Sequence, residues 1–186
     1  MAKVNKSRYA ILGILSLGPK SGYDIKKMTE VSIAHFWSES FGQIYPNLRQ
    51  LEKEALVTSR LEPQTGARDR RVYTLTDEGE RVFQNWLREP VDYAPPRNEL
   101  LLKLFFGDQL SDANIQAKIA TFRRQQQTRL DTYDGLVTWL RAEFAEHPSL
   151  PYWLMTLSYG RHLARALLDW SEESLAGLEP LSSPAD

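Results

Sequence analysis

The chain has no cysteine among its 186 residues, which excludes disulfides, iron–sulfur clusters, thiolate zinc sites and cysteine nucleophiles. Histidine is almost as scarce. The three present, His35, His147 and His162, lie far apart in sequence and leave little for a multi-histidine metal centre. No apolar run approaches the ~20 residues of a membrane span; the longest, residues 100–106, contains Lys103. The basic N-terminus leads into an apolar stretch over 9–17 that is broken by Gly13 and Ser16 and lacks a small-residue cleavage site. A cytoplasmic protein with no membrane partner is expected. Asn5-Lys6-Ser7 matches the glycosylation pattern, which carries no weight without a secretion signal. Phosphate-binding loops, Gly-rich dinucleotide turns, nucleophile elbows and His-Glu-x-x-His are all missing. No residue is nominated as catalytic, metal-binding or cofactor-binding, and an enzyme is not expected. Net charge is the last scarcity: at −1 it argues, over the whole chain, against nucleic acid.

That average hides a division. Residues 1–90 hold 14 basic and 11 acidic groups, and residues 91–186 hold 9 and 13. Within 1–28, Lys3, Lys6, Arg8, Lys20, Lys26 and Lys27 oppose only Asp24, and Arg68-Asp69-Arg70-Arg71 forms a second basic knot. Such asymmetry between halves points to nucleic acid or a membrane surface. With 42% apolar and 25% charged residues the chain is globular in composition. The 11% of aromatics, five of them Trp, suit a core, an interface or an aromatic-lined cavity.

The first 90 residues parse into short elements. Ser7 can cap a helix carrying Ile11, Leu12, Ile14 and Leu15, ended by Gly18-Pro19. Ser21 reads as the cap of a second helix through Tyr23, Ile25 and Met28. Ser40 or Gly42 begins a third, with Ile44, Leu48, Leu51 and Ala55 inward. The period then changes. Residues 56–61 and 71–75 have strand composition and are joined by a turn containing Gly66, and Thr76 or Asp77 caps a fourth helix. Helix–helix–helix–hairpin–helix is the order of a winged helix-turn-helix with one helix appended. The expected fold is therefore mainly α with a small β-hairpin. Its parts are a winged helix over 1–89, a Pro-rich joint over 90–96, a helical dimerisation and effector domain over 97–180, and a frayed tail over 181–186.

In a helix-turn-helix the second helix crosses the major groove, and its outward side chains meet base edges and phosphates. Here that face offers Gln43, Tyr45, Pro46, Asn47, Arg49, Gln50 and Lys53. Gln and Asn can bond adenine, Arg guanine, and Tyr a phosphate or thymine methyl. Lys6, Ser21, Tyr23 and Lys26 surround the preceding helix and its N-terminus, a ready phosphate anchor. Arg68, Arg70 and Arg71 in the wing could reach a flanking minor groove or its phosphates. Winged helices also serve as protein-interaction modules, but such modules have less reason to keep cations on all three contact elements.

Beyond the joint the chain looks all helical. A short apolar helix is expected over 97–106. Ser111-Asp112 then caps a run with no Pro before Pro148, which as one helix would span 111–146, ~54 Å at ~1.5 Å per residue. Its stripe of Ile115, Ile119, Phe122, Leu130, Tyr133 and Val137 has nearly the period of a coiled-coil seam, with Gln126 where an apolar residue is expected. Two readings fit it: packing against the last helix, over 150–178, or a seam that also pairs with a second subunit. A helix this long on so small a protein favours the second, so the six are assigned to a homodimer contact.

At the level of residue strings the chain resembles a family. Tyr9-Ala10-Ile11-Leu12-Gly13, Gly18-Pro19-x-Ser21-Gly22-Tyr23-Asp24-Ile25, Phe36-Trp37-Ser38, Gly42-Gln43-Ile44-Tyr45-Pro46-x-Leu48-x-x-Leu51-Glu52 and Tyr73-x-Leu75-Thr76-x-x-Gly79 look like the PadR family of bacterial transcriptional regulators. The Phe-Trp-Ser and Gln-Ile-Tyr-Pro elements look most like its phenolic-acid-responsive members. Residues 99–106 and the long helical pair resemble the effector and dimerisation domain of the larger subfamily. Many relatives have Gly where this chain has Ala55, before the residue entering the wing. The resemblance implies a homodimer that represses a promoter by binding an inverted repeat in double-stranded DNA and lets go when a small aromatic effector binds. Carried over by position, Ile11, Leu15, Phe36, Trp37, Phe105, Tyr152 and Trp153 would line the effector site. Arg161 or His162 would meet a ligand carboxylate. The alternative is an effector-independent regulator that acts through protein partners or as an activator.

Overall fold

The architecture is taken from a computed structural model that describes residues 6–37, 41–63, 69–91 and 97–178. Backbone contacts divide the chain into two compact units, residues 1–93 and 94–186. The first holds α1 (Ser7–Leu15), β1 (Lys20–Ser21), α2 (Gly22–Ser32), α3 (Ile44–Lys53), β2 (Val57–Glu62), β3 (Arg70–Leu75) and α4 (Asp77–Arg88). The second holds α5 (Glu99–Phe105), α6 (Asp112–Glu143) and α7 (Leu150–Leu178). Mainly helical with one small sheet, this is the winged helix and helical C-terminal part expected from the sequence.

The core of the first unit forms where the apolar faces of α1, α2 and α3 meet the sheet. Ile11, Leu12, Leu15, Ile25, Leu48, Leu51, Val57 and Tyr73 belong to one buried cluster, with Phe83 and Val82 of α4 packed on it. Burial of this order stabilises by roughly 1.5–3 kcal/mol per large side chain. The sheet has the order β1-β3-β2 and is antiparallel throughout, with Ser21 opposite Val72, Val57 opposite Leu75 and Glu62 opposite Arg70. The expected hairpin gains a third strand, the two-residue β1. A strand so short has no period to read, and its second residue doubles as the cap of α2.

Caps settle the helix ends. Ser21 closes a full capping box on α2 with Asp24, and Thr76 accepts from the Gly79 amide at the start of α4. Ser7 is not a cap: Lys6 holds that place without a side-chain capping bond, and Ser7 is the first helical residue. A 3-10 turn, Phe41–Gln43, precedes α3, so the helix begins at Ile44 rather than at Gly42; Ser40 lies outside the described residues. Pro46 sits in the first turn of α3, where no intrahelical partner awaits its missing N–H. The chain leaves α3 through Ala55, whose φ of 57° is the left-handed turn that a glycine would make without strain.

In the second unit α6 is 32 residues long, ~48 Å, against the 36 expected, because Phe144 ends it before Pro148. It runs antiparallel to α7. Phe122 packs edge-on against Trp170, Arg123 bonds Glu172, and Tyr133 lies against Gly160.

Candidate nucleic-acid interface

On α3 itself, which ends at Lys53, the sequence alternation works at all but one position, while Ala55, expected inward, lies past the helix end and is exposed. Ile44, Leu48 and Leu51 are buried against the core, and Gln43, Tyr45, Pro46, Arg49, Gln50 and Lys53 are exposed. Asn47 is the correction. It points inward, 9% exposed, and its side-chain amide donates to the Gln43 carbonyl at 2.8 Å, so it is not part of the outward face. Gln50 donates to Glu54 at 2.7 Å, and Arg8 bonds the same carboxylate. The Gln50 bond first, then Arg8, hold the Glu54 carboxyl below the usual range against partial burial. Arg49 and Lys53 have no ion pair among the described residues.

The N-terminus of α2 is occupied from within. Ser21 is 4% exposed. Its amide and hydroxyl both donate to Asp24 Oδ2, at 3.0 and 2.7 Å, and its hydroxyl accepts from the Asp24 amide at 3.2 Å. The Ser21 hydroxyl above all, then its amide, Arg70 and Lys20, depress the Asp24 carboxyl below its ordinary pKa, against the opposing effect of burial. In the free protein the donors of Ser21 are therefore taken by Asp24. Tyr23 beside it is exposed. Lys26 reaches Glu30 at 3.8 Å, whereas Lys27, which the sequence reading left out of the site, is exposed one residue on. Lys6 is half-buried at the cap of α1.

The wing arginines also have internal partners. Arg70 lies 3.4 Å from Asp24 and 3.7 Å from Glu62; Arg71 lies 3.7 Å from Glu52 and donates to Ser59 at 3.3 Å. Both thus have carboxylate partners in the free protein, which the sequence could not show because those carboxylates are distant in the chain. Arg68 falls outside the described residues. Tyr73, buried behind this network, has its hydroxyl pushed up by burial, with Arg71 and Arg49 pulling the other way.

The effector candidates scatter. Ile11 and Leu15, 4% and 2% exposed, are corrections: their own unit's core covers them. Phe36, Phe105 and Tyr152 are exposed, His162 is exposed, and Trp37 and Trp153 are half-buried. The Trp37 indole N–H is sealed from solvent with no partner among the described residues. Trp153 stacks on His147, ring centroids 4.5 Å apart, beside Phe144. Arg161 Nε lies 2.6 Å from Asp134 Oδ1, an ion pair whose N–H is not aimed along the contact. A cleft of about 470 Å³ beside α5 is lined by Lys103, Lys118 and Phe122 among others, and by none of the expected effector residues.

The expected dimer seam packs in part within the chain. Ile115, Ile119 and Tyr133 are buried within the single chain, and Phe122 is half-buried against Trp170 of α7. An added Cβ at Gly160 would stand 2.7 Å from Tyr133 Cζ, so the two helices are close there. Leu130 and Val137 are half-buried. What α7 leaves outward is Tyr152, Met155, Tyr159 and Leu163, an apolar stripe at steps of three, four and four, and α5 leaves Leu101, Leu102, Phe105 and Phe106 exposed. Among the described residues no helix is long and apolar enough to cross a membrane.

Comparison with known proteins agrees with this geometry. Residues 11–85 match the transcriptional regulator PadR-like family, and residues 96–179 match the virulence activator alpha C-terminal family. The negative transcriptional regulator PadR of Bacillus subtilis is 29% identical over 178 residues, covering 92% of this chain and 97% of the relative. Its crystal structure in complex with operator DNA superposes with a TM-score of 0.82 at 27% identity, covering 93% of this chain and 99% of that one. The same protein in complex with p-coumaric acid gives 0.76 at 28% identity, over 92% and 98%.

Proposed function

The chain belongs to the PadR-like family of transcriptional regulators, and from that premise we propose that it is a homodimeric repressor that binds an inverted-repeat operator and leaves it when a small aromatic acid binds. The carrying observation is α3, a helix with a buried apolar side and an exposed side of Gln43, Tyr45, Arg49 and Lys53, presented beside α2 and a wing. Arg49 and Gln43 have the chemistry of base-edge readout, and Lys53 and Lys27 that of phosphate neutralisation. On this reading residues 1–89 form the DNA-binding domain and residues 97–180 the dimerisation and effector domain.

The operator complex and the p-coumaric acid complex of the Bacillus relative support both halves of the reading. Within this chain, the Trp37 indole N–H, without a partner among the described residues, is a donor suited to an acceptor on an aromatic ligand. The exposed stripes of α5 and α7 supply apolar surface for a second copy. Two recognition helices must sit about one DNA turn apart, ~34–36 Å, so an effector that favours another angle between the winged helices lowers operator affinity.

The test is fluorescence anisotropy on duplex DNA from beside its own gene, with and without p-coumaric acid. Saturable binding reversed by the acid is expected. Failure to bind at low salt would sink the DNA reading; binding indifferent to phenolic acids would sink the effector.

A further inference from the structure

β3 presents its two arginines to different helices. Successive residues of a strand point to opposite faces, and the alternation sends Arg70 toward α2 and Arg71 toward α3. Arg71 Nη1 is 3.7 Å from Glu52 Oε2 and donates at 3.3 Å to Ser59 Oγ, which in turn donates to Glu52 Oε1 at 2.5 Å. Arg70 is held in the same way by Asp24 and Glu62. Each guanidinium already has an anion, which a phosphate would have to displace.

Glu52 is the informative member. It lies on the recognition helix one turn from Arg49, where a carboxylate repels phosphates and on electrostatic grounds weakens binding. Its place there is explained by what it holds. We propose that Glu52, Ser59 and Arg71 form a clasp that fixes the wing to the recognition helix, so that Arg71 is a positioning residue for operator binding and not a phosphate ligand. Arg70 with Asp24 ties the same strand to α2. The clasp makes the wing angle a property of the free protein. It is pre-organised before DNA arrives, which spares the ordering cost of docking. This inference rests on the DNA-binding reading above.

The two roles differ in the sign of a Glu52 variant. A phosphate-binding Arg71 restrained by Glu52 is released by Glu52→Gln, which then tightens binding and steepens its salt dependence. A clasp is broken by the same change, which then weakens binding. The full-length protein is titrated against a fluorescein-labelled duplex from upstream of its own coding sequence over a series of potassium chloride concentrations. Lys53→Ala should lower the slope of log affinity against log salt by about 0.9, the value of one phosphate. Arg71→Ala and Glu52→Gln should each weaken binding roughly threefold to tenfold with the wild-type slope. The double variant Glu52→Gln/Arg71→Ala should bind no worse than either single one.

A lower slope for Arg71→Ala, or affinity in Glu52→Gln that is unchanged or higher, overturns the proposal. Both groups are partly exposed, so the fold should survive their loss, as circular dichroism would verify. If Glu52→Gln nonetheless unfolds, Ser59→Ala breaks the bridge without changing charge and is expected to weaken binding likewise. A thermal double-mutant cycle on Glu52 and Arg71 reads the clasp without DNA, and additivity there overturns it. Absence of duplex binding by the wild type would instead fail the DNA reading.

Discussion

Tyr45, on the first turn of α3, lies across the first turn of α2 at Gly22: a methyl group there would come within 2.6 Å of Tyr45 Cε1. The ring is 53% exposed, so it has room to swing away. Gly22→Ala should therefore cost the fold little, under about 1 kcal/mol, because a better helix former partly offsets the contact. It should nevertheless shift Tyr45 off the proposed DNA face. The expected pattern is a near-normal thermal midpoint with duplex affinity as low as that of Tyr45→Ala. If the double variant binds worse than either single one, the two positions act independently and the relationship has no functional weight.

Ala55 offers a test in the opposite direction. Its φ of 57° costs an L-residue roughly 1–2 kcal/mol, and glycine occupies that region freely. Gly also gains entropy in the unfolded chain, about 0.4–1 kcal/mol. Ala55→Gly should therefore stabilise the first unit by a net ~0.5–1 kcal/mol. A higher urea midpoint with an unchanged m-value is the expected result, and a lower midpoint would show that the turn is not strained.

Asp24 links stability to pH. The Ser21 hydroxyl, the Ser21 amide and Arg70 depress its pKa in the folded state, so the native protein binds this proton less readily than the unfolded chain does. The stabilisation is then complete above the unfolded value, about 4, and is lost as pH falls through the lower native pKa. Asp24 is more than a third exposed, so Arg70 contributes little and the capping box most, about 1 kcal/mol. Asp24→Asn should lower the urea midpoint at neutral pH and converge on the wild type in acid. A gap that persists in acid would assign the effect to something other than the carboxylate.

The order of elements was legible because each carries its own local signal: Ser21 and Thr76 as caps, the step of Ile44, Leu48 and Leu51, and the Pro-free run of α6. The strings around Gly18-Pro19 and Tyr45-Pro46 were legible as a family resemblance because they are contiguous in the chain. What stayed hidden depends on partners far away in sequence. Asn47 looked outward because its side chain is polar, and in the fold it turns in and donates to the Gln43 carbonyl. Arg70 and Arg71 looked like contacts for DNA because Asp24 and Glu52 come from other elements. The α6 stripe has one period whether its partner is α7 or another chain, and in the fold Tyr133 of that stripe meets Gly160 of α7. The effector candidates were carried over by position, and position alone did not distinguish the core residues Ile11 and Leu15 from exposed Phe105 and Tyr152.

That division separates folding from assembly in the second unit. Tyr133 is 8% exposed and fills the space over Gly160, so Tyr133→Ala removes a buried ring and should destabilise the helical pair by about 3 kcal/mol. Tyr159 is 69% exposed on the outer stripe of α7 between Met155 and Leu163, and Tyr159→Glu removes nothing from the core. A carboxylate in the middle of an apolar contact with a second copy would have to be desolvated without a partner, which costs association and not folding. Tyr159→Glu should keep its helical circular dichroism and its melting temperature at high dilution. Light scattering after size exclusion should find it a monomer at concentrations where the wild type is a dimer. Duplex affinity should fall with it, since one winged helix reads only half of an inverted repeat. A dimeric Tyr159→Glu would place the contact between copies on some surface other than this stripe.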